Sequence, residues 1–260
     1  PELQAKSIPT SGYAGMFYGT LLENAPELPA TTLGEGCYKQ MFQYCKSLKN
    51  SPELPAMNVN ISSYVSMFHG CYALTNINKI HAKSISTSGC SYMFAYCASL
   101  ERAPELSATT LGGYCYVYMF GECTSMIYPP KLPATTLATY CYGYMFYGCT
   151  SLTAAPELPA MNLAIWCYAH MFNKCTSLTT APTLPAKTLV SACYRTLFGS
   201  CSSLNYIKCL AEDLGKTESS NPLLSWVGNV SPTGIFVKKT GVEWISRSEE
   251  RVSRNAETDL

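Results

Sequence analysis

Apolar residues in this chain recur as the block CYxxMFxxC followed by xSL. It is seen complete at Cys37-Tyr38, Met41-Phe42, Cys45 and Ser47-Leu48. Met-Phe occurs at Met16-Phe17, Met41-Phe42, Met67-Phe68, Met93-Phe94, Met119-Phe120, Met145-Phe146 and Met171-Phe172, with Leu197-Phe198 as a variant. Successive positions differ once by 25 and then six times by 26, so the chain is an array of about eight repeats. The places between the apolar residues are mixed, for example Lys39 and Gln40, Ser91 and Tyr92, Gly143 and Tyr144.

Indexed from each Met, the apolar places share one arc of a helical wheel at ~100° per residue, with Phe at its edge. The residue nine before the Met is Ser7, Thr32, Asn58, Ser84, Thr110, Thr136, Asn162 or Thr188. Each is a favoured helix N-cap, and a branched aliphatic follows it every time. Gly19, Gly70 and Gly148 stand three after the Met, where a short helix would stop. One short amphipathic helix per repeat is therefore expected. A second reading stays open: the aromatic density of YCYGYMFYGC also suits β-structure and a β-solenoid.

After the block come a Leu, two variable residues and, in most repeats, Ala-Pro. This segment suits a brief strand pairing with its copies in neighbouring repeats, ended by a proline that lacks an N–H. The segment ELPA follows, and its second proline stiffens the return to the next block. One such unit cannot bury its apolar side, whereas stacked units can. The expected fold is an α/β solenoid of 26-residue repeats over 1–205, each a short strand plus a short helix. Its strand ladder would run roughly 35 Å at ~4.8 Å per rung. Helices are wider than strands, so the array should bend, with strands on the concave side. The pattern decays after Leu204. Residues 206–246 read as a closing cap with a hairpin between Gly234–Lys238 and Val242–Ile245, and 247–260 as a disordered tail.

Charged residues make up 13% of the chain and the net charge is +1, which argues against a nucleic-acid partner. No apolar run reaches the ~20 residues of a membrane span, so no membrane insertion is expected in this segment. The opening PELQA is mid-repeat, and a signal or anchor is expected upstream.

The segment MFxxCTSLTTAPELPATTL resembles the BspA-like branch of leucine-rich repeats found in surface proteins of Bacteroides and related gut bacteria. Met145–Leu163 and Met171–Leu189 carry the resemblance most fully, and it covers 1–205. The end segment SWVGNVSPTGIFVKKTGVEWI also resembles the closing sequence of such proteins. The family's usual Ile-Pro strand is replaced here by Ala-Pro-Glu-Leu-Pro. The resemblance implies a leucine-rich-repeat-like solenoid on an extracellular, cell-surface protein that meets host or microbial partners through its repeat face.

Fourteen cysteines invite disulfide or metal readings. Seven follow the Met by four (Cys45, Cys71, Cys97, Cys123, Cys149, Cys175, Cys201) and five precede it by four (Cys37, Cys115, Cys141, Cys167, Cys193). Cys90 is one place off and Cys209 stands alone. Two cysteines eight apart on a helix lie ~12 Å apart, and equivalent places on adjacent helices ~8–10 Å. Both exceed the ~7 Å limit for bridging. No CxxC pair exists, and His69, His81 and His170 follow no ligand spacing. The expectation is a ladder of buried thiols acting as small hydrophobes, with no metal or other cofactor.

Tyr92, Tyr118 and Tyr144 repeat one place before the Met and should form an exposed convex stripe. It is either rings packed on one another or a platform for a sugar or protein. The variable pairs after the Leu are the better candidates, because their filling changes inside a constant frame. They include Lys49-Asn50, Thr75-Asn76, Glu101-Arg102 and Ile127-Tyr128, with Glu101, Arg102 and Tyr128 the most diverse group. The stripe after the first proline, including Glu27 and Glu53, suggests only weak surface pairing. No nucleophile–base grouping or phosphate loop appears, so no enzyme is expected. The function expected is adhesion to a protein or glycan on a host or neighbouring microbe, by a monomer; a rigid spacer presenting another domain is the alternative.

Overall fold

The computed structural model describes residues 3–215 and 221–242, and it is a solenoid of parallel rungs. Rungs are numbered here from the one containing Met16. Residues read as helix caps are instead two-residue strands: β1 (Ser7–Ile8), β2 (Thr32–Leu33), β3 (Asn58–Val59), β4 (Ser84–Ile85) and β5 (Thr110–Leu111). β1 pairs with β2, β3 with β4 and β4 with β5, all parallel and in register. Thr136–Asn162 and Thr188–Asp213 bridges continue the same line. The hydroxyl or amide residue faces outward, and in the first four strands the branched residue after it is buried.

The expected helix is absent: no described residue is helical. The block CYxxMFxxC is a ribbon of overlapping turns. Alternate N–H groups bond within the rung and across to the next. Met41 N–H donates to the Tyr38 carbonyl at 3.1 Å, and Phe42 N–H to the Met67 carbonyl at 2.9 Å. A helix would satisfy every N–H inside one segment; here half of the ladder is shared between repeats. The turns require a left-handed residue every fourth place, as at Gly36, Gln40 and Tyr44, with φ near +60°. Gly19, Gly70 and Gly148, read as helix ends, are such places inside the ribbon.

Buried side chains follow the same four-residue step. Cys37-Tyr38, Met41-Phe42 and Cys45 are fully enclosed. Phe rings stack from Phe17 to Phe198, and successive centroids lie 5.4–5.8 Å apart with planes 3–9° from parallel. Each buried Phe contributes about 1.5–3 kcal/mol relative to exposure. No wide helical side exists, so the argument for concave and convex surfaces falls. The two sides are called here the ladder face and the ribbon face.

The ladder face carries single-residue bridges rather than the expected strands. These run Asn24–Asn50–Asn76, Arg102–Tyr128 and Ala154–Thr180–Tyr206. β6 (Tyr206–Lys208) then pairs in parallel with β7 (Ile235–Val237). Thus the described part of 206–246 extends the stack. Tyr194, Thr196, Phe198 and Ser200 donate to the carbonyls of Pro222, Leu224, Trp226 and Gly228. Ser225 and Asn229 adopt positive φ, and Trp226 occupies the Met place of a ninth ribbon. The second arm of the expected hairpin, beyond Val242, and the tail 247–260 lie outside the described residues.

Candidate binding face

Parallel pairing places the second residue of every variable pair in one line on the ladder face, while the preceding Leu points into the core. Three successive rungs put asparagine there, so their amides form a ladder. Asn76 Nδ2 donates to Asn50 Oδ1 at 3.0 Å, and Asn50 Nδ2 to Asn24 Oδ1 at 3.5 Å. Each bond leaves amide capacity directed at solvent. In the next rung, the Arg102 guanidinium lies 4.0 Å from the centre of the Tyr128 ring of rung 5. Tyr128 is 48% exposed and Ile127 39%. Lys49 Nζ reaches Glu23 at 3.1 Å, an exposed pair of small energetic weight.

Five of the eight residues singled out from sequence line two adjoining troughs. The first, about 610 Å³, contains Asn24, Glu27, Asn50, Ser51, Glu53 and Asn78 among its walls. The second, about 580 Å³, contains Thr75, Asn76, Asn78, Glu101 and Arg102. Asn78 stands in both. Lys49, Ile127 and Tyr128 belong to the same face but line neither trough.

The residues joining the troughs escaped the comparison of variable pairs. Rung 3 reads Asn78-Lys79-Ile80-His81 where rung 2 reads Pro52-Glu53-Leu54-Pro55. Both frame prolines are lost. Asn78 regains an N–H, which donates to Ser51 Oγ at 2.9 Å, and its Nδ2 donates to the Ser51 carbonyl at 2.7 Å. His81 Nε2 sits 2.6 Å from Glu53 Oε1. Ser51 itself replaces the alanine found at Ala25 and Ala103. Among rungs 1–7 only rung 3 loses both prolines, and that is the signal that identifies this place.

Cysteines take no part in the face. All fourteen are buried free thiols. The seven that follow the Met donate to the Phe carbonyl of the preceding rung, as from Cys71 Sγ to Phe42 at 3.1 Å and from Cys175 Sγ to Phe146 at 3.1 Å. The expected 8–10 Å between equivalent cysteines is wrong, because backbone-bonded rungs lie ~4.8 Å apart. The seven after the Met direct their S–H groups at a carbonyl rather than at one another. Burial raises thirteen of the thiols, Cys123 and Cys201 to about 12. Among the described residues no group of three His, Cys, Asp or Glu could hold a metal ion.

No family model and no curated protein matches the chain. Among solved structures, a leucine-rich repeat protein from Bacteroides ovatus aligns over 92% of this chain and 68% of its own, with 16% identity and a TM-score of 0.37.

Proposed function

We propose that this chain is a non-enzymatic binding and adhesion module whose partner, a protein or a glycan, docks along the ladder face. The observation that carries the reading is the break in the repeat frame at rung 3. Two prolines that stiffen rungs 1, 2, 5, 6 and 7 give way to Asn78 and His81 where two troughs meet. Packing does not ask for that change. A row of amides with Glu53, Glu101 and Arg102 offers paired donors and acceptors to a hydrogen-bonding partner.

The repeat's resemblance to BspA-like surface proteins supports an extracellular, cell-surface place and a partner on a host or neighbouring microbe. Buried thiols with raised pKa values resist exchange, which is compatible with an oxidising compartment. The chain acts as a monomer in this reading. The deciding experiment is an array of glycans and extracellular-matrix proteins probed with the whole chain. Hits are then retested with Asn78→Pro, which restores the frame, and with Glu101→Ala/Arg102→Ala/Tyr128→Ala. A partner indifferent to both variants overturns the assignment of this face. The uninterrupted Phe stack favours a second reading, a rigid spacer presenting another domain, and a blank array selects it.

A further inference from the structure

The ribbon face carries aromatic side chains that its own fold does not need. The turn ribbon demands positive φ five places before, one place before and three places after each Met. Glycine suits such places, and other L-residues are strained by roughly 1–2 kcal/mol. Rungs 1–3 fill the first two of these with Ser11 and Gly15, Gly36 and Gln40, Ser62 and Ser66. Rungs 5–7 put Tyr114, Tyr140 and Trp166 at the first. Rungs 4–7 put Tyr92, Tyr118, Tyr144 and His170 at the second. The scaffold is the same and the conformation is the same, so the repeats are controls for one another. The ribbon conformation alone therefore does not call for aromatics in rungs 4–7.

These side chains form one connected belt. Ring centroids are 5.3 Å apart for Tyr92–Tyr118 and for Tyr114–Tyr140, 5.6 Å for Tyr140–Trp166, and 4.3 Å for the parallel pair Tyr144–His170. The backbone is cut back to seat them. A Cβ on Gly121 would overlap the Tyr118 ring, and one on Gly143 the Tyr140 ring, although neither glycine has a positive φ. Tyr92 and Tyr114 remain exposed. At the far edge Lys174 Nζ lies 5.0 Å from the Tyr147 ring centre, and Arg195 Cζ 5.0 Å from that of Trp166. Each cation thus rests over an aromatic ring at the edge of the belt. Glu122 is the one acidic residue at a positive-φ place among the described residues.

We propose that the ribbon face of rungs 4–7 binds a linear acidic polysaccharide. Sugar rings lie against the Tyr92, Tyr118 and Tyr144 row, and uronate carboxylates meet Lys174 and Arg195. Because the rings stack on one another along the row, they meet a pyranose with ring edges and phenolic oxygens, which suit its hydroxylated rim. The belt repeats from rung 4 to rung 7, so a polymer of repeating units meets similar rings in succession, which a globular protein surface does not. Charge complementarity at the cationic edge selects the acidic member of the class. This site is independent of the ladder face.

The test is titration of the whole chain with polygalacturonate oligomers and, in parallel, with neutral cello-oligosaccharides. The expected result is saturable binding of the acidic probe, weakened by salt. Tyr92→Ser/Tyr118→Ser/Tyr144→Ser, in which each serine copies Ser66 of rung 3, should weaken it by about tenfold or more. Lys174→Ala/Arg195→Ala should erase the preference over the neutral probe while the fold stays intact. Glu101→Ala/Arg102→Ala/Tyr128→Ala, on the other face, should leave it unchanged. Absence of saturable binding, equal affinity for both probes, or binding indifferent to the tyrosine and cation variants overturns the proposal. So does a belt that captures only a protein.

Discussion

Cys71 Sγ lies 3.1 Å from the carbonyl oxygen of Phe42, a residue in the preceding rung that also accepts the N–H of Cys45. The same relationship joins Cys97 to Phe68 and Cys123 to Phe94. Each thiol therefore supplies a second bond to a buried carbonyl and fills space too small for a larger side chain. Cys97→Ala should cost about 1–2 kcal/mol in urea unfolding, from a lost donor and a small cavity. Cys97→Ser keeps a donor and should cost less. At Cys90, whose Sγ has no carbonyl partner among the described residues, serine should be worse than alanine. Equal costs at the two sites would show that the sulfurs only fill space.

The thiol array also fixes the alkaline limit of stability. Thirteen cysteines are raised above their ordinary value of 9.0, chiefly by burial. Above that value the unfolded chain loses protons that the folded chain retains, so stability falls as pH rises. Each thiol ionised only in the unfolded state costs about 1.4 kcal/mol per pH unit. The urea midpoint should hold from pH 6 to 8 and drop steeply between pH 9 and 10. A midpoint unchanged at pH 10 would contradict the burial of the array.

Much of this architecture is legible in the residues, and the part that is not has a physical cause. The Met-Phe step reveals the rungs, and the buried set is Cys37, Tyr38, Met41, Phe42 and Cys45, as the helical wheel also requires. Over nine residues a step of four and a turn of 3.6 bury the same side chains, so patterning alone cannot separate ribbon from helix. Glycines separate them: Gly15 and Gly19 are four apart, both at positive φ. Pro222-Leu223 and Trp226-Val227 repeat the doublet step and mark the ninth ribbon in a stretch that has lost its cysteines. On the ladder face, Asn50, Asn76, Glu101 and Arg102 stand out by contrast with a constant frame. Asn78 and His81 are visible only when the prolines themselves are compared between rungs.

One substitution has opposite signs in the two architectures. Gln40 has φ +58°. In an exposed helix Gln40→Gly would destabilise by roughly 1 kcal/mol. In the ribbon it removes left-handed strain and should stabilise by about 0.5–1 kcal/mol, net of the flexibility it adds to the unfolded chain. The partner experiment is Gly70→Ala. Gly70 has φ +70°, and a Cβ there would stand 2.5 Å from the Tyr44 ring, so a loss of about 1–2 kcal/mol is expected. Thermal melts of both variants decide it, and a destabilised Gln40→Gly would restore the helix.

Trp226 closes the core at the described end of the stack. It is fully buried, its ring centre is 6.4 Å from Phe198 and 5.7 Å from Phe236, and its carbonyl accepts the Phe198 N–H at 2.7 Å. It stands where other rungs place Met, and its larger ring covers both the last Phe of the stack and the β7 strand. Trp226→Ala should cost about 3–5 kcal/mol. In an array where each rung touches only its neighbours, that loss is local before it is global. Hydrogen exchange should accelerate first at the N–H groups of Tyr194, Thr196 and Phe198, which bond to the ninth ribbon, and then at rung 7. Rungs 3–5 should keep their protection until the whole stack unfolds. Uniform acceleration along the chain would mean that the ninth ribbon is integral to one cooperative unit rather than its closing layer.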